Sequence, residues 1–426
     1  MKRILTAAAM AAAMAVPAGA ELVVPSLDYR TGPYAPNGIP YADGFHDYLM
    51  MLNERDGGIG GERIRILPCE TGYNTEKGVE CYEATKGEGS LVYHPLSTGI
   101  TYQLIPKATA DHIPVHSMGY GRTSAANGRI FEWIFNFPGT YWDAASIIIK
   151  HILQEEGGDL SGKRIALLYH NSAYGKEPIR TLEELARKHG YELSLLPVDH
   201  PGQEQKSQWL QIRRERPDWV IMWGWGVMNQ VAIQEAANIR YPMDHFVGVW
   251  WSGSENDVRP AGKGADGYKA ITWHFPGADA PVFDAIRKYV IEPGKNAGDG
   301  TKIGEVLYAR GVYAAITVAE AIRTAQRLHG TAKITPPMMR DGLENLEITA
   351  QRWEELGWPG LPPIKITCAN HGAPGLGAIQ QWNAAEGKWT IITPFMEADR
   401  EVIDPLIIAD SEAFAKENGI TPRSCE

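Results

Sequence analysis

The feature that most constrains this chain is an alternation of short apolar runs with longer amphipathic runs. Short runs rich in β-branched residues predict strands, and amphipathic runs predict helices. Regular alternation of the two favours parallel sheets covered by helices on both faces. The strand candidates are "LVVPSL" (22–27), "RIRILPC" (63–69), "SLVYHPL" (90–96), "IPVHSM" (113–118), "RIALLYH" (164–170), "ELSLLPV" (192–198), "WVIMWGW" (219–225) and "FVGVWW" (246–251). The helix candidates between them lie near 41–54, 75–86, 99–110, 140–155, 175–189, 203–215 and 227–239.

The alternation occurs twice. Four strand–helix units are followed by a second set that begins at "SGKRIALLYH" (161–170). Proline and glycine occur in two breaks, "FNFPGTYW" (135–142) between the two sets and "ITWHFPGADAP" (271–281) after the second, as expected where a chain crosses between two lobes. After the second break, a long apolar run over 306–328 predicts a helix. A chain that crosses more than once forms a hinge.

We therefore predict an α/β protein with two Rossmann-like lobes joined by a hinge of several strands. The first lobe is predicted to span 21–138 and 275–340, and the second 139–274 and 341–426. Within the second lobe, 375–395 predicts a β-hairpin.

The first twenty residues have the pattern of a secretory signal peptide. A basic start, "MKR", precedes a small-apolar run and an Ala-x-Ala ending at Ala20. The apolar run is too short to span a bilayer, and no later stretch reaches the ~18 apolar residues that a spanning helix needs. We therefore predict cleavage after Ala20 and a protein exported to the periplasm. The net charge of −10 gives no electrostatic support to nucleic-acid binding.

Export changes how the four cysteines are interpreted, because an oxidising compartment favours disulfides. Four cysteines allow three pairings. We favour Cys69–Cys81, which are close in sequence, and Cys368–Cys425, which would anchor the C-terminal tail. The spacing matches no zinc motif, so no metal site is predicted.

Catalytic signatures are sparse. The chain has no His-Glu-x-x-His, no Gly-x-Ser-x-Gly and no phosphate-binding Walker loop. One Gly-x-Gly-x-x-Gly, "GKGADG" (262–267), precedes a predicted strand instead of following one, so it is interpreted as a loop. An exported enzyme remains an alternative, and it requires a nucleophile–base or acid–base pair in the cleft.

The carboxyl ends of the predicted strands carry the residues of interest, because ligands bind there in open parallel sheets. In the first lobe these ends supply small polar donors, and in the second they supply aromatic rings. Together they predict a cleft with one polar wall and one aromatic wall. The segments are "LSTG" (96–99), "SMGYGRT" (117–123), "HNSAYGKE" (170–177), "WGWG" (223–226) and "VWWSG" (249–253).

The tryptophans in these segments have competing interpretations. Trp219 and Trp223 occupy inward strand positions and are expected in the core. Trp225, on a Gly-Trp-Gly turn, fits the core and the cleft equally well. Trp250 and Trp251 are expected to point to opposite faces, so at most one of them lines the cleft. A separate residue, Arg122, is expected to pair with a ligand carboxylate or with a surface acid.

Several segments together resemble a known family. "NERDGGIGGERIRIL" (53–67), "GPYAPNG" (32–38) and "YHNSAYGKE" (169–177) are similar, in order and spacing, to periplasmic solute-binding proteins of the branched-chain amino acid type, which serve ABC importers. The resemblance implies a type I periplasmic-binding-protein fold that traps its ligand by hinge closure. It also implies a monomer without a cofactor, with a membrane permease as partner. A role as ligand-presenting partner of a membrane sensor is the alternative.

Carried over by position, the family's ligand contacts fall on Tyr34, Ser97, Thr98, Gly119, Tyr120, Gly121, Tyr174 and Trp225. Amino-acid-binding members hold the ligand ammonium with an acid near the place where this chain reads "VWWSG". The resemblance puts Trp250 in that place. A buried ammonium without a counter-charge is costly, so we predict an aromatic or other unusual carboxylate as ligand. Amino acids, amides and quaternary ammonium compounds remain alternatives.

Overall fold

The computed structural model describes residues 21–425, so the predicted signal peptide and its cleavage site lie outside the described residues. The strands are β1 (Leu22–Asp28), β2 (Ile64–Glu70), β3 (Val115–His116), β4 (Ile134–Phe135), β5 (Arg164–His170), β6 (Glu192–Val198), β7 (Trp219–Trp223), β8 (Phe246–Gly248), β9 (Lys269–Thr272), β10 (Glu347–Ile348), β11 (Ile364–Lys365), β12 (Leu376–Asn383), β13 (Lys388–Ile391) and β14 (Met396–Glu397). The α-helices are α1 (Ala35–Asp56), α2 (Thr75–Thr85), α3 (Thr98–Asp111), α4 (Tyr141–Glu155), α5 (Ala173–Lys176), α6 (Ile179–His189), α7 (Lys206–Glu215), α8 (Val227–Asn238), α9 (Glu255–Val258), α10 (Pro281–Ile286), α11 (Val306–His329), α12 (Pro336–Glu344), α13 (Ala350–Glu355) and α14 (Arg400–Asn418).

The first sheet is parallel. β1 pairs with β2 from Leu22–Ile64 to Asp28–Glu70, and β3 pairs with β4. The predicted strand over 90–96 is not a regular strand. It joins the two pairs through single bridges, Ser90 to Val23 and Tyr93 to Val115.

The second sheet has the strand order β13-β12-β9-β8-β7-β5-β6, with β14 paired to β12. The strands from β5 to β9 are parallel, and the predicted hairpin is β12 with β13, which pair antiparallel. β8 is shorter than predicted. It ends at Gly248 because Trp250–Ser252 forms a 3₁₀ turn instead of extended backbone.

Polar side chains fix where the helices near the sheet edges begin. Asn74 accepts a hydrogen bond from the amide of Lys77 at the start of α2. Thr140 and Asp143 form a reciprocal capping box at the start of α4. Such caps satisfy amides that have no partner inside the helix.

Both disulfides favoured from the sequence are present in the structure, Cys69–Cys81 and Cys368–Cys425. The first joins β2 to α2. The second ties the end of the chain to the segment after β11.

Contacts favour a change to the predicted lobe boundaries. Residues 341–366 pack with α11 rather than with the second sheet, and Arg352 forms an ion pair of 2.8 Å with Glu320 on α11. We propose that the first lobe comprises 21–138 and 275–372, and the second 139–274 and 373–399. These are the "first lobe" and "second lobe" below.

Helix α14 contacts both lobes. At its start, Asp399 and Arg400 pair with Lys188 and Asp143 of the second lobe. Nearer its end, Asp410 pairs with Arg122 of the first lobe at 2.6 Å, and the Cys368–Cys425 disulfide follows. The C-terminal helix therefore bridges the hinge.

Among the described residues, no helix is long and apolar enough to cross a membrane.

Candidate ligand-binding site

A small space lies where the carboxyl ends of the strands of both lobes meet. We call this space the inner chamber. It is close-packed, with about 10 Å³ of free volume, room for a single water molecule. Admission of a larger molecule therefore requires the two lobes to move apart. The lining residues are Tyr29, Tyr73, Leu96, Ser97, Thr98, Tyr120, Tyr141, Tyr174, Trp225 and Trp251.

The Gly-Trp-Gly turn places Trp225 in this lining. β7 ends at Trp223 and α8 begins at Val227, so Trp225 sits at the strand end. Gly226 has φ 62° and ψ −136°, a backbone conformation essentially restricted to glycine. A Cβ at Gly226 would lie 2.6 Å from the ring of Tyr34 in the other lobe, so the turn also needs the missing side chain.

The indole of Trp225 meets its neighbours edge to face. Its ring centroid is 6.3 Å from that of Tyr29 and 5.5 Å from that of Trp251, at interplanar angles of 82° and 81°. Its Nε1 donor is buried without a hydrogen-bond partner among the described residues. By contrast, Trp219 and Trp223 lie in the core, 1% and 0% exposed, as expected from their strand positions.

The N-terminus of α3 forms the polar part of the lining. Ser97 caps this helix by accepting a hydrogen bond from the amide of Ile100. The hydroxyl of Thr98 accepts from the amide of Gly121 at 3.1 Å and lies 3.3 Å from that of Tyr141. The first amides of a helix and its dipole favour an anionic group at this position.

The tyrosine rings of the lining are fixed by hydrogen bonds to backbone groups. Tyr29 donates to the carbonyl of Leu96 at 3.1 Å, and Tyr120 accepts from the amide of Leu96 at 2.7 Å. Tyr174 donates to the carbonyl of Gly224 at 2.8 Å. Burial raises the pKa of Tyr29, Tyr120 and Tyr174 well above the usual value, so their hydroxyls are neutral. The lining therefore carries no charged side chain.

Five of the nine predicted ligand contacts line the inner chamber. These are Ser97, Thr98, Tyr120, Tyr174 and Trp225.

The other four lie one contact away from the chamber. The amide of Gly121 bonds to Thr98, and the carbonyl of Gly119 accepts hydrogen bonds from the indoles of Trp250 and Trp251 at 2.8 and 3.1 Å. Tyr34 is buried, and its ring centroid lies 4.3 Å from that of Tyr73, which lines the chamber.

Trp250 was predicted to contact the ligand, but Trp251 lines the chamber in its place. The ring of Trp250 packs 4.7 Å from that of Trp273 in the second crossing segment. Side chains alternate between faces only on extended backbone, and the 3₁₀ turn at Trp250–Ser252 removes that alternation.

Four lining aromatics were not among the predicted contacts: Tyr29, Tyr73, Tyr141 and Trp251. Tyr29 follows β1 directly, and Tyr73 lies three residues after β2. Both residues follow the carboxyl end of a strand, which is where ligands bind in open parallel sheets. Tyr141 begins α4, in the first crossing segment, where no strand-end pattern points to it.

A larger space, which we call the outer vestibule, adjoins the inner chamber. It has a volume of about 450 Å³ and shares Tyr73, Ser97 and Tyr174 with the chamber. Tyr34 bridges the lobes beside it. Its hydroxyl lies 2.8 Å from Nε2 of His170 and 2.6 Å from Nδ1 of His200. The remaining lining is Gly72, Asn74, Thr75, Glu76, Gly99, His170, Ser172, Ala173 and His200.

Glu177 of the second lobe makes another contact between the lobes. Its carboxyl group accepts hydrogen bonds from the hydroxyl of Tyr102 and, at 2.8 Å, from the hydroxyl of Thr123, both in the first lobe. Burial raises the pKa of Glu177 to about 7. Arg122 is nearby, but it pairs with the surface acid Asp410 at 2.6 Å, which was one of its two expected partners.

The raised pKa of Glu177 predicts a pH-dependent stability. Between its ordinary value of 4.5 and about 7, the folded protein holds a proton that the unfolded chain releases. Stability therefore falls as pH rises through this window, by at most about 3 kcal/mol. Glu177→Gln cannot ionise, so we expect it to be more stable than the wild type at pH 8 and to lose this advantage at pH 4.5. Urea unfolding at both pH values measures the difference.

Glu183→Gln is the matched control for this prediction. Glu183 lies six residues away on α6 and is exposed. Its substitution is expected to leave stability nearly unchanged at both pH values. An equal effect of Glu177→Gln at pH 4.5 and pH 8 would contradict the predicted proton uptake.

Comparison with known proteins identifies the family. Residues 21–388 match the family described as periplasmic binding protein. A solved structure described as an ABC transporter permease from the Pseudomonas fluorescens group is 40% identical, with a TM-score of 0.87 over 95% of this chain and 99% of that one. No curated protein sequence matches the chain.

Two more distant structures share the fold. A branched-chain amino acid ABC transporter protein from Thermus thermophilus with bound valine is 20% identical, with a TM-score of 0.78 over 91% of this chain and 99% of that one. An ABC transporter solute-binding protein from R. palustris in complex with benzoate is 17% identical, with a TM-score of 0.69 over 89% of this chain and 98% of that one.

The family consists of substrate-binding proteins and not of enzymes, and its periplasmic location agrees with the predicted export. With its type I periplasmic-binding-protein fold, the chain belongs to the periplasmic binding protein family, as a substrate-binding protein that serves an ABC transporter.

Proposed function

We propose that this protein captures a small aromatic carboxylate in the inner chamber by closure of its two lobes, and delivers it to the permease of an ABC importer. The observation that carries the proposal is the lining itself. Seven aromatic rings and the N-terminus of α3 surround the chamber, and no lining side chain is charged. Aromatic walls suit a flat apolar body, and a helix N-terminus suits a carboxylate.

An ordinary amino acid fits this lining poorly because its ammonium group would lack a counter-charge. The acids that follow "VWWSG" in the chain are already engaged. Glu255 accepts the amide of Val306 at 2.9 Å, and Asp257 accepts from Ser254, Asn37 and Asn229. Neither lines the inner chamber. Burying an unpaired ammonium costs several kcal/mol, which disfavours leucine and valine.

A quaternary ammonium ligand is the second candidate, because aromatic rings attract such cations. The rings of Tyr29, Trp225 and Trp251 meet edge to face around the chamber, as in an aromatic cage. The helix N-terminus at Ser97 opposes this candidate, since its partial positive charge repels a cation.

The fold accommodates an amino acid in one other protein and an aromatic carboxylate in another. The Thermus thermophilus structure holds valine and the R. palustris structure holds benzoate, each at 20% identity or less. The choice for this chain therefore depends on its own lining.

Calorimetric titration of the mature protein with benzoate, leucine and choline tests the proposal. Because an unpaired ammonium is costly, we expect benzoate to bind at least ~100-fold more tightly than leucine. Tighter binding of leucine would overturn the carboxylate proposal, and tighter binding of choline would favour the aromatic cage.

A further inference from the structure

Arg310 is a fully buried cation close to the inner chamber. It lies in the second turn of α11 and is 0% exposed. Its guanidinium donates to Nε2 of His274 at 3.1 Å, to the carbonyl of Trp250, and to the hydroxyl of Thr272 at 3.3 Å. All three partners are neutral, since burial lowers the pKa of His274 well below its usual value. Among residues 21–425, no carboxylate lies within ion-pair distance of Arg310.

One indole separates this charge from the chamber. The guanidinium carbon of Arg310 lies 5.3 Å from the ring centroid of Trp251, which lines the chamber, and 4.6 Å from that of Trp273. A cation buried without an ion-pair partner is energetically costly, and the cost falls when a negative charge approaches. An anion in the chamber can supply that charge through a medium of low dielectric constant.

The nearest acids compensate Arg310 only in part. Glu255 and Asp257 act on it from a distance, and their carboxyl groups are held by backbone amides and by Asn37 and Asn229. Burial raises their pKa values to about 7 and about 6, so at neutral pH the negative charge of Glu255 is incomplete. The guanidinium, in contrast, keeps its proton at neutral pH.

We infer that Arg310 is a specificity-determining residue that selects ligands by the sign of their charge, favouring anions over neutral molecules of the same shape. This inference rests on the proposed function, because it concerns the ligand of the same chamber. It differs from the contribution of the α3 N-terminus, since Arg310 acts from behind the aromatic wall and does not contact the ligand.

The test compares benzoate with benzamide, which has a similar shape and no charge, in four proteins. These are the wild type, Arg310→Met, Arg310→Lys and the surface control Arg214→Gln, whose native side chain is 76% exposed. In Arg310→Met, we expect the ratio of benzoate to benzamide affinity to fall by about tenfold or more. Arg310→Lys and Arg214→Gln should keep the wild-type ratio. If Arg310 has a purely structural role, Arg310→Met should weaken the binding of benzoate and benzamide equally and leave the affinity ratio unchanged.

Arg310→Gln provides a second variant if the methionine variant does not fold, because its amide can still donate to the carbonyl of Trp250. A wild-type preference for benzoate that persists in folded Arg310→Met or Arg310→Gln would overturn the role of Arg310 alone. A wild type that binds leucine or choline and not benzoate would overturn the proposed function and this inference together.

Discussion

Replacing Trp225 by alanine is expected to weaken benzoate binding by about 30-fold, or ~2 kcal/mol, which is typical of a buried aromatic anchor. Trp225 lines the inner chamber with 3% of its surface exposed, and its indole fills the space between Tyr29 and Trp251. Removal of the indole deletes ligand contact and loosens both neighbours. Calorimetry at a temperature where the variant is folded, confirmed by near-ultraviolet circular dichroism, measures the change.

Trp389→Ala is the control for this prediction. Trp389 is as buried as Trp225, at 4% exposure, but it lies on β13 against Trp382 and Tyr268 and does not line the chamber. Both substitutions are expected to destabilise the fold by roughly 3–5 kcal/mol, and only Trp225→Ala should weaken benzoate binding. Unchanged benzoate affinity in Trp225→Ala would show that the indole belongs to the core and not to the binding wall.

Loss of the Cys368–Cys425 disulfide is expected to destabilise the folded protein by an amount comparable to the loss of a buried tryptophan. The two cysteines are 57 residues apart, so in the chain-entropy description the crosslink is worth about 4 kcal/mol. The double variant Cys368→Ser/Cys425→Ser should lose that amount in urea unfolding. Its C-terminal segment loses an anchor as well, although Arg423 still pairs with Glu344.

Cys69→Ser/Cys81→Ser is the matched comparison. This pair is separated by 12 residues, for which the same description gives about 3 kcal/mol. We therefore expect the variant at 368 and 425 to be the less stable of the two by about 1 kcal/mol. The opposite order would mean that strain or residual structure in the unfolded chain outweighs loop entropy.

The alternation of strands and helices was predictable because each element is encoded by its own local sequence. The helix predicted at 75–86 is observed at Thr75–Thr85, and the one at 306–328 at Val306–His329. The strand predicted at 90–96 was less successful. Its pairing consists of single bridges, and a local pattern carries no information on how many partners a strand finds.

The candidate site was predictable only where it follows from sheet geometry. Ser97 and Trp225 were found because strand ends converge in parallel sheets. Trp251 lines the chamber in place of Trp250 because of a 3₁₀ turn, and no residue in "VWWSG" predicts that turn. Arg310 was not identifiable, because it lies on a helix of 24 residues and its burial depends on Trp251 and Trp273, distant in sequence.

The attachment of α14 to both lobes has a mechanical consequence. Its first residues are held by Lys188 and Asp143 and its middle by Arg122, and the chain beyond it is held by the Cys368–Cys425 crosslink. A hydrogen-bonded helix of 19 residues, about 28 Å long, resists extension. Because it is attached to both lobes, we expect it to limit how far they can move apart. The extent of lobe movement would then depend on α14, and ligand specificity on the lining of the inner chamber. Either of these two properties could change without the other.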